Sequence, residues 1–270
     1  MKQQNKLLLT SLLTLSALDQ RLKTVTYRLS SPKIKNPFKI VFIADLHGCY
    51  YGENQSTLVK AIKKANPHLI LLGGDIFDDI IPYDNTEILL AEIAALFPCY
   101  YVTGNHEYRG HNIQEILKIV DSFGVTTLNG TCDVLEIEGN LIQICGIADP
   151  SATHYVQNQD SVQKQLKHLE TLLQPEFYSI LLTHRPELIQ EYLYSPYDLS
   201  LAGHAHGGQW RIPFLCNGVF SPNQGLFPKF AGGHYPFEEM DFIVSRGLAR
   251  ETTIVPRIWN RPELVVIEIS

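Results

Sequence analysis

The stretch FKIVFIADLHG, Phe38 to Gly48, decides how this chain is read. Apart from Lys39, Phe38 to Ala44 is an unbroken apolar run. That suits a strand buried on both faces, as in a parallel sheet covered by helices. The run stops at Asp45, and His47 follows two positions later. In an extended segment the i and i+2 side chains share a face. A carboxylate and an imidazole therefore aim at one point, at the end of a core strand.

The same grammar repeats downstream. Gln55 to Ala65 has helical spacing, with Leu58, Ile62 and Ala65 in register, and Asn66-Pro67 stops it. Leu69 to Leu72 is a second short strand and ends in Gly73-Gly74-Asp75. A helix over Asp84 to Phe97 leads to a third strand, Cys99 to Val102, which ends in Gly104-Asn105-His106-Glu107. Asn112 to Phe123 is a further helix, closed by Gly124. Asp45, Asp75 and Asn105 are spaced 30 residues apart, the length of one strand–helix–strand unit. The polar clusters are thus successive strand ends of an α/β fold, on the sheet edge where such folds bind ligands.

In the second half, Val134 to Ile137 and Leu141 to Ile144 flank Glu138-Gly139-Asn140 as a hairpin. Asp160 to Leu173 reads as a helix. Strands over Phe177 to Leu182 and Asp198 to Ala202 end in Thr183-His184 and Gly203-His204-Ala205-His206. Residues 213–236, rich in Pro, Gly, Phe and Asn, form a long ordered loop. Phe242 to Ser245 and Leu264 to Ile269 close the fold.

Composition narrows the function. Hydrophobic residues at 45% and charged residues at 19% mark a core-bearing globular protein. A net charge of −6, without Lys/Arg runs, argues against a nucleic-acid binder. The five scattered cysteines are expected to be free thiols in a reducing, cytoplasmic setting. Residues 1–24 carry an apolar run, Leu7 to Leu18, too short to span a bilayer. They read as an amphipathic helix, packed on the domain or touching a membrane surface; a signal peptide is the alternative. Residues 25–270 form a single domain.

Five polar clusters after five strands offer only oxygen and nitrogen donors. Such donors suit manganese, with iron or zinc as alternatives, better than calcium or soft copper. Glycines before Asp75, Asn105 and His204 allow sharp turns at the strand ends. Together the motifs ADLHG (44–48), GGDIFD (73–78), GNHE (104–107), THR (183–185) and GHAHGG (203–208) resemble the calcineurin-like metallophosphoesterase superfamily. GHAHGGQWRIP and VSRGL (244–248) are similar to its bacterial branch of YkuE- and YaeI-type phosphodiesterases. The resemblance implies a four-layer α/β/β/α sandwich of two mixed sheets and a centre of two divalent ions. By motif, Asp45, His47 and His206 hold one ion, Asn105, His184 and His204 the other, and Asp75 bridges them. His106 then steadies the phosphate oxygens or protonates the leaving group.

Two ions about 3.5–4 Å apart can share one hydroxide and clamp both ends of an in-line displacement. Against two divalent ions, two carboxylates and a hydroxide leave a formal charge of about +1, which favours an anionic phosphate; neutral Asn105 preserves that excess. Asp78 is a candidate to orient a ligand. Arg185, Gln209 and Arg211, with Trp210, are candidates for substrate contact. The aromatic group Phe214, Phe220, Phe227, Phe230, Tyr235 and Phe237 is read as self-packed, with a lid for a lipid-like substrate as the alternative. The expected activity is hydrolysis of a phosphoester or pyrophosphate, on a small phosphodiester or a lipid-linked substrate. A silent metal-binding scaffold and a DNA nuclease are the competing readings.

Overall fold

A computed structural model of the chain describes residues 16–193, 195–250 and 255–270. The first half supplies β1 (Lys23–Leu29), β2 (Phe38–Ile43), β3 (Leu69–Gly73), β4 (Cys99–Val102) and β5 (Thr126–Thr127). The second supplies β6 (Thr131–Ile137), β7 (Asn140–Gly146), β8 (Tyr178–Leu182), β9 (Leu199–Ala202), β10 (Phe220–Ser221), β11 (Gly225–Leu226), β12 (Gly233–Pro236), β13 (Asp241–Val244) and β14 (Glu263–Ile269). One six-stranded sheet runs β1-β14-β2-β3-β4-β5 and another runs β12-β13-β9-β8-β7-β6. Both are mixed. In the first, β2 to β5 are parallel and β14 is antiparallel to β2. In the second, β13, β9, β8 and β7 are parallel between antiparallel edges β12 and β6.

Strand alternation builds the layers. Ile40, Phe42, Leu69 and Leu71 of the first sheet meet Ile142, Ile144, Ile180 and Leu182 of the second in a shared core. The alternate residues Val41, Ile43, Ile70 and Leu72 face outward onto Leu58, Ile62, Leu89, Ile93, Ile116 and Val120. Those six lie on helices Ser56–Ala65, Asp84–Ala94 and Ile113–Ser122. On the other side Cys145, Leu181, Ala202 and Phe242 pack under Leu166 and Leu169 of helix Val162–Glu170. The result is the four-layer α/β/β/α sandwich, and the burial of β3, β8 and all of β2 but Lys39 explains why their sequences are almost entirely apolar.

Three details differ from the sequence reading. The expected helix within residues 1–24 falls largely on residues 1–15, outside the described residues, but β1 starts at Lys23 and joins the first sheet beside β14. Residues 213–236 are not one loop: they hold the β10–β11 hairpin and edge strand β12. The free-thiol expectation is overturned for two cysteines. Cys132 and Cys145 are disulfide-bonded, because the β6–β7 register sets them directly opposite with Cα atoms 4.0 Å apart. That register follows from a two-residue turn with positive φ at Glu138 and Gly139, which opposes Ile137 to Asn140. Cys49, Cys99 and Cys216 remain thiols.

Candidate metal centre

β2, β3, β4, β8 and β9 all deliver their carboxyl ends to one edge, and the predicted ligands sit on the turns just beyond. Five of them occupy left-handed backbone: Asp45 (φ 52°), His47 (49°), Asp75 (51°), His204 (63°) and His206 (47°). Non-glycine residues rarely hold this region, and such strain clusters at functional sites. The turns are locked from below. Leu248 and Gly74 join Asp45 in the backbone network, through Leu248 N to Asp45 O at 3.1 Å and Asp45 N to Gly74 O at 3.0 Å. Gly104 and Gly203 are needed for close approach and not for turning. A Cβ on Gly104 would lie 2.2 Å from Asp75 Oδ1.

The side chains converge as two groups sharing one carboxylate. Asp45, His47, Asp75 and His206 offer ligand atoms within 4.8 Å of one another, and so do Asp75, His184 and His204. Asp75 Oδ2 is 3.6 Å from His47 Nε2 and 3.2 Å from His184 Nε2, while Asp75 Oδ1 accepts the His106 N–H. Asn105 is buried beside them. Five atoms of the predicted ligands are buried with no hydrogen-bond partner among the described residues: Asp45 Oδ2, His47 Nε2, Asn105 Oδ1, His184 Nε2 and His206 Nδ1. Buried polar groups are normally satisfied. Here the unsatisfied ones are oxygen and imidazole nitrogen atoms at one place, a donor set that suits divalent ions.

Neighbouring groups aim these atoms. Asp78 Oδ2 binds His47 Nδ1 at 2.8 Å, as expected of an orienting carboxylate, and the Gly73 carbonyl binds His184 Nδ1 at 2.8 Å. Each leaves Nε2 facing the site. His204 Nε2 lies 3.0 Å from Asn223 Oδ1 and 2.8 Å from Arg185 Nη1. An N–H there donates to Asn223, whereas a bare nitrogen accepts from Arg185. Ligation through the other ring nitrogen requires the former.

Electrostatics follow from crowding. Burial lowers the His184 imidazole, but Asp75 and Asp45 outweigh it and raise it to about 10. Burial also opposes ionisation of His106, and Asp78, Asp75 and Asp79 lift it to about 9. Burial and the charges of His184 and Arg185 push His204 down to about 3.

The substrate-contact candidates divide. Arg185 is buried and committed to Asp149, which it meets bidentately, and to Ser151, Asn223 and His204. Gln209 bonds the Val255 carbonyl. Arg211 bonds Asn217 and lines a surface pocket. Of the aromatic group, Phe230 packs on Tyr235 and Phe242, while Phe214, Phe220 and Phe227 are exposed.

Sequence reasoning did not assign roles to Asp79, which binds His106 Nδ1 at 2.6 Å, or to Glu107. The Glu107 carboxylate accepts the N–H groups of Gly104, Asp75, Ile76 and Phe77 and so ties two ligand turns together. Asp149, the anchor of Arg185, sits just past β7; its strand-end position was the available signal. Asn223 had none.

A family model described as calcineurin-like phosphoesterase matches residues 38–208. The phosphodiesterase YaeI of Escherichia coli is 29% identical, over 86% of this chain and 82% of its own length. The metallophosphoesterase YkuE of Bacillus subtilis is 28% identical, over 86% of this chain and 79% of its own. Among solved structures, TT1561 of Thermus thermophilus superposes with a TM-score of 0.55 at 14% identity, covering 79% of this chain and 91% of that one.

Proposed function

The chain belongs to the calcineurin-like phosphoesterase family, and from that premise we propose that this metal-dependent phosphoester hydrolase cleaves phosphodiesters at a pair of divalent ions, manganese foremost. Asp45, His47 and His206 would hold one ion and Asn105, His184 and His204 the other, with Asp75 available to both. The observation that carries this reading is the five buried ligand atoms that make no hydrogen bond among the described residues and gather around a shared Asp75. When bound, the ions supply a water acidic enough to attack phosphorus at neutral pH, and positive charge for the transition state.

The remaining work falls to the chain. His106 keeps Nδ1 against Asp79 and a side chain about a quarter exposed, so its ring is aimed by a carboxylate and open to substrate on the other side. Arg109 Nη1, 3.1 Å from His106 Nε2, bonds only the neutral ring. The protonated ring offers its Nε2–H to a phosphate or leaving-group oxygen. Asp78 holds His47 and Asn223 holds His204 in their ligating tautomers. Neutral Asn105 leaves the ligand set with two carboxylates, so an anionic substrate is not repelled.

Purified full-length protein with Mn²⁺ is expected to hydrolyse bis(p-nitrophenyl) phosphate, and Asp75→Asn to slow it on the order of 100-fold or more. Equal rates for wild type and variant reject the reading.

A further inference from the structure

One pocket outside the metal centre combines charge and grease. It measures about 390 Å³, and its walls include Arg211, Phe214, Leu215, Arg246 and Trp259. Three wall residues connect it to the first group of ligands. Arg211 lies five residues past His206. Trp259 precedes Asn260, whose Nδ2 donates to the His206 carbonyl at 2.7 Å. Arg246 precedes Gly247, where a Cβ would come within 2.5 Å of Asp45 Oδ2.

The two guanidiniums face one space and repel each other; Arg246 helps hold Arg211 below its ordinary value, after burial. Buried Glu263 is the carboxylate beside them, with Oε2 3.4 Å from Arg246 Nε. Arg211 Nη1 is buried without a hydrogen-bond partner among the described residues, while Arg211 Nη2 bonds Asn217 and Arg246 Nε faces Glu263. Against these donors stands an apolar rim. Phe214 is fully exposed, Leu215 is 82% exposed, and Ile212 and Trp210 are exposed beside them. Phe220, Leu226 and Phe227, in and beside the β10–β11 hairpin, are also each more than half exposed. Exposed apolar clusters of this kind mark binding surfaces, and two guanidiniums against the single carboxylate of Glu263 leave a positive charge at their foot that suits an anion.

We propose that this pocket receives the part of the substrate remote from the scissile bond: a second anionic group between Arg211 and Arg246, with an aliphatic chain laid over Phe214, Leu215 and Trp259. The substrate is then an amphiphilic phosphoester. The proposal builds on the metal-centre reading for its reaction and stands on its own for binding.

The test needs no turnover. Of the chain's two tryptophans, Trp259 lines this pocket and Trp210 adjoins its wall residue Arg211. Emission from the full-length, Mn²⁺-loaded protein therefore reports on it directly. Titration with decylphosphonate, which is not hydrolysed, is expected to give a saturable change. Methylphosphonate should bind at least about tenfold more weakly, and decyltrimethylammonium should give no saturable change. Arg211→Gln should weaken decylphosphonate at least about tenfold, with Arg211→Lys recovering part of the loss. Phe214→Ser should weaken it several-fold, on the order of 3 to 10. Saturation by phosphatidylglycerol vesicles as well as by the monomer assigns the chemistry to a lipid headgroup; saturation by the monomer alone assigns it to a dissolved amphiphile. Equal binding of the anionic and cationic amphiphiles, or an Arg211→Gln titration that matches wild type, overturns the proposal. Because a phosphonate can also ligate the metal centre, the Arg211→Gln and Phe214→Ser arms assign the binding to the pocket; failure of the centre itself would appear as absent hydrolysis of the soluble ester.

Discussion

Glu107→Gln probes the frame of the centre without replacing a ligand. The Glu107 side chain is fully buried. Its Oε1 accepts the N–H groups of Ile76 (2.8 Å) and Phe77 (3.2 Å), and its Oε2 those of Gly104 (2.9 Å) and Asp75 (3.1 Å). Glutamine keeps one acceptor oxygen, enough for one pair, and turns an NH₂ toward the other. Two buried backbone donors then lose their acceptor, at about 1–3 kcal/mol each. The predicted destabilisation is therefore about 2–6 kcal/mol, a large share of a typical total of about 5–15 kcal/mol. Burial and the charge of Asp75 push the carboxyl up to about 7, so the comparison belongs at pH 8, where it is ionised. Urea unfolding of the metal-free proteins reads the stability, and a Mn²⁺ titration reads the displacement of Asp75. A change below about 0.5 kcal/mol, the scale of an ordinary surface substitution, would refute the assignment of Glu107 as the tie between the two turns.

Metal binding should be proton-linked. His184, raised to about 10, is protonated in the metal-free chain at neutral pH and must release that proton to become a ligand. Apparent Mn²⁺ affinity should rise about tenfold per pH unit as pH approaches 10, with proton release visible as a buffer-dependent heat; a flat affinity between about pH 6.5 and 8.5 would contradict this. The same raised value stabilises the metal-free fold fully below about 6.5, the unfolded value, and that contribution is lost as pH rises through about 10. Asn223→Ala should weaken one of the two Mn²⁺ sites about 10–100-fold and spare the other, since the Asn223 amide oxygen meets His204 and Arg185, on the second ion's side; competition with a fluorescent chelator resolves the two. His106→Asn should lower kcat about 10²–10⁴-fold at full metal content, with a larger loss for alkyl than for p-nitrophenyl leaving groups. Equal losses on both esters would assign His106 to phosphate binding instead of proton donation.

Much of this was legible in the chain because the physics was local and repeated. An apolar strand that stops at a polar residue is a one-dimensional signal, and its recurrence every 30 residues identified the sheet edge. What the sequence withheld depends on register between distant segments. β1 gave no clear apolar run because its exposed edge position alternates, and only pairing with β14 orders it. The Cys132–Cys145 bond was readable in principle, since a turn opposing Ile137 to Asn140 counts outward to that pair. The count and scatter of the cysteines do not carry that register; the hairpin does. Asn223 and Arg185 reach His204 from a loop and a strand end, and no spacing rule links them. The left-handed backbone at the ligands was likewise hidden: aspartate and histidine adopt it here because the surrounding turns enforce it.

The stoichiometry of Mn²⁺ binding tests the central claim most directly. Calorimetric titration of metal-free wild type should end at two ions per chain. Asp75→Asn, which alters the one carboxylate shared by both groups, should lose tight binding of both. A wild type that takes up no second ion, or a variant that keeps two with unchanged affinity, would contradict a centre built around Asp75.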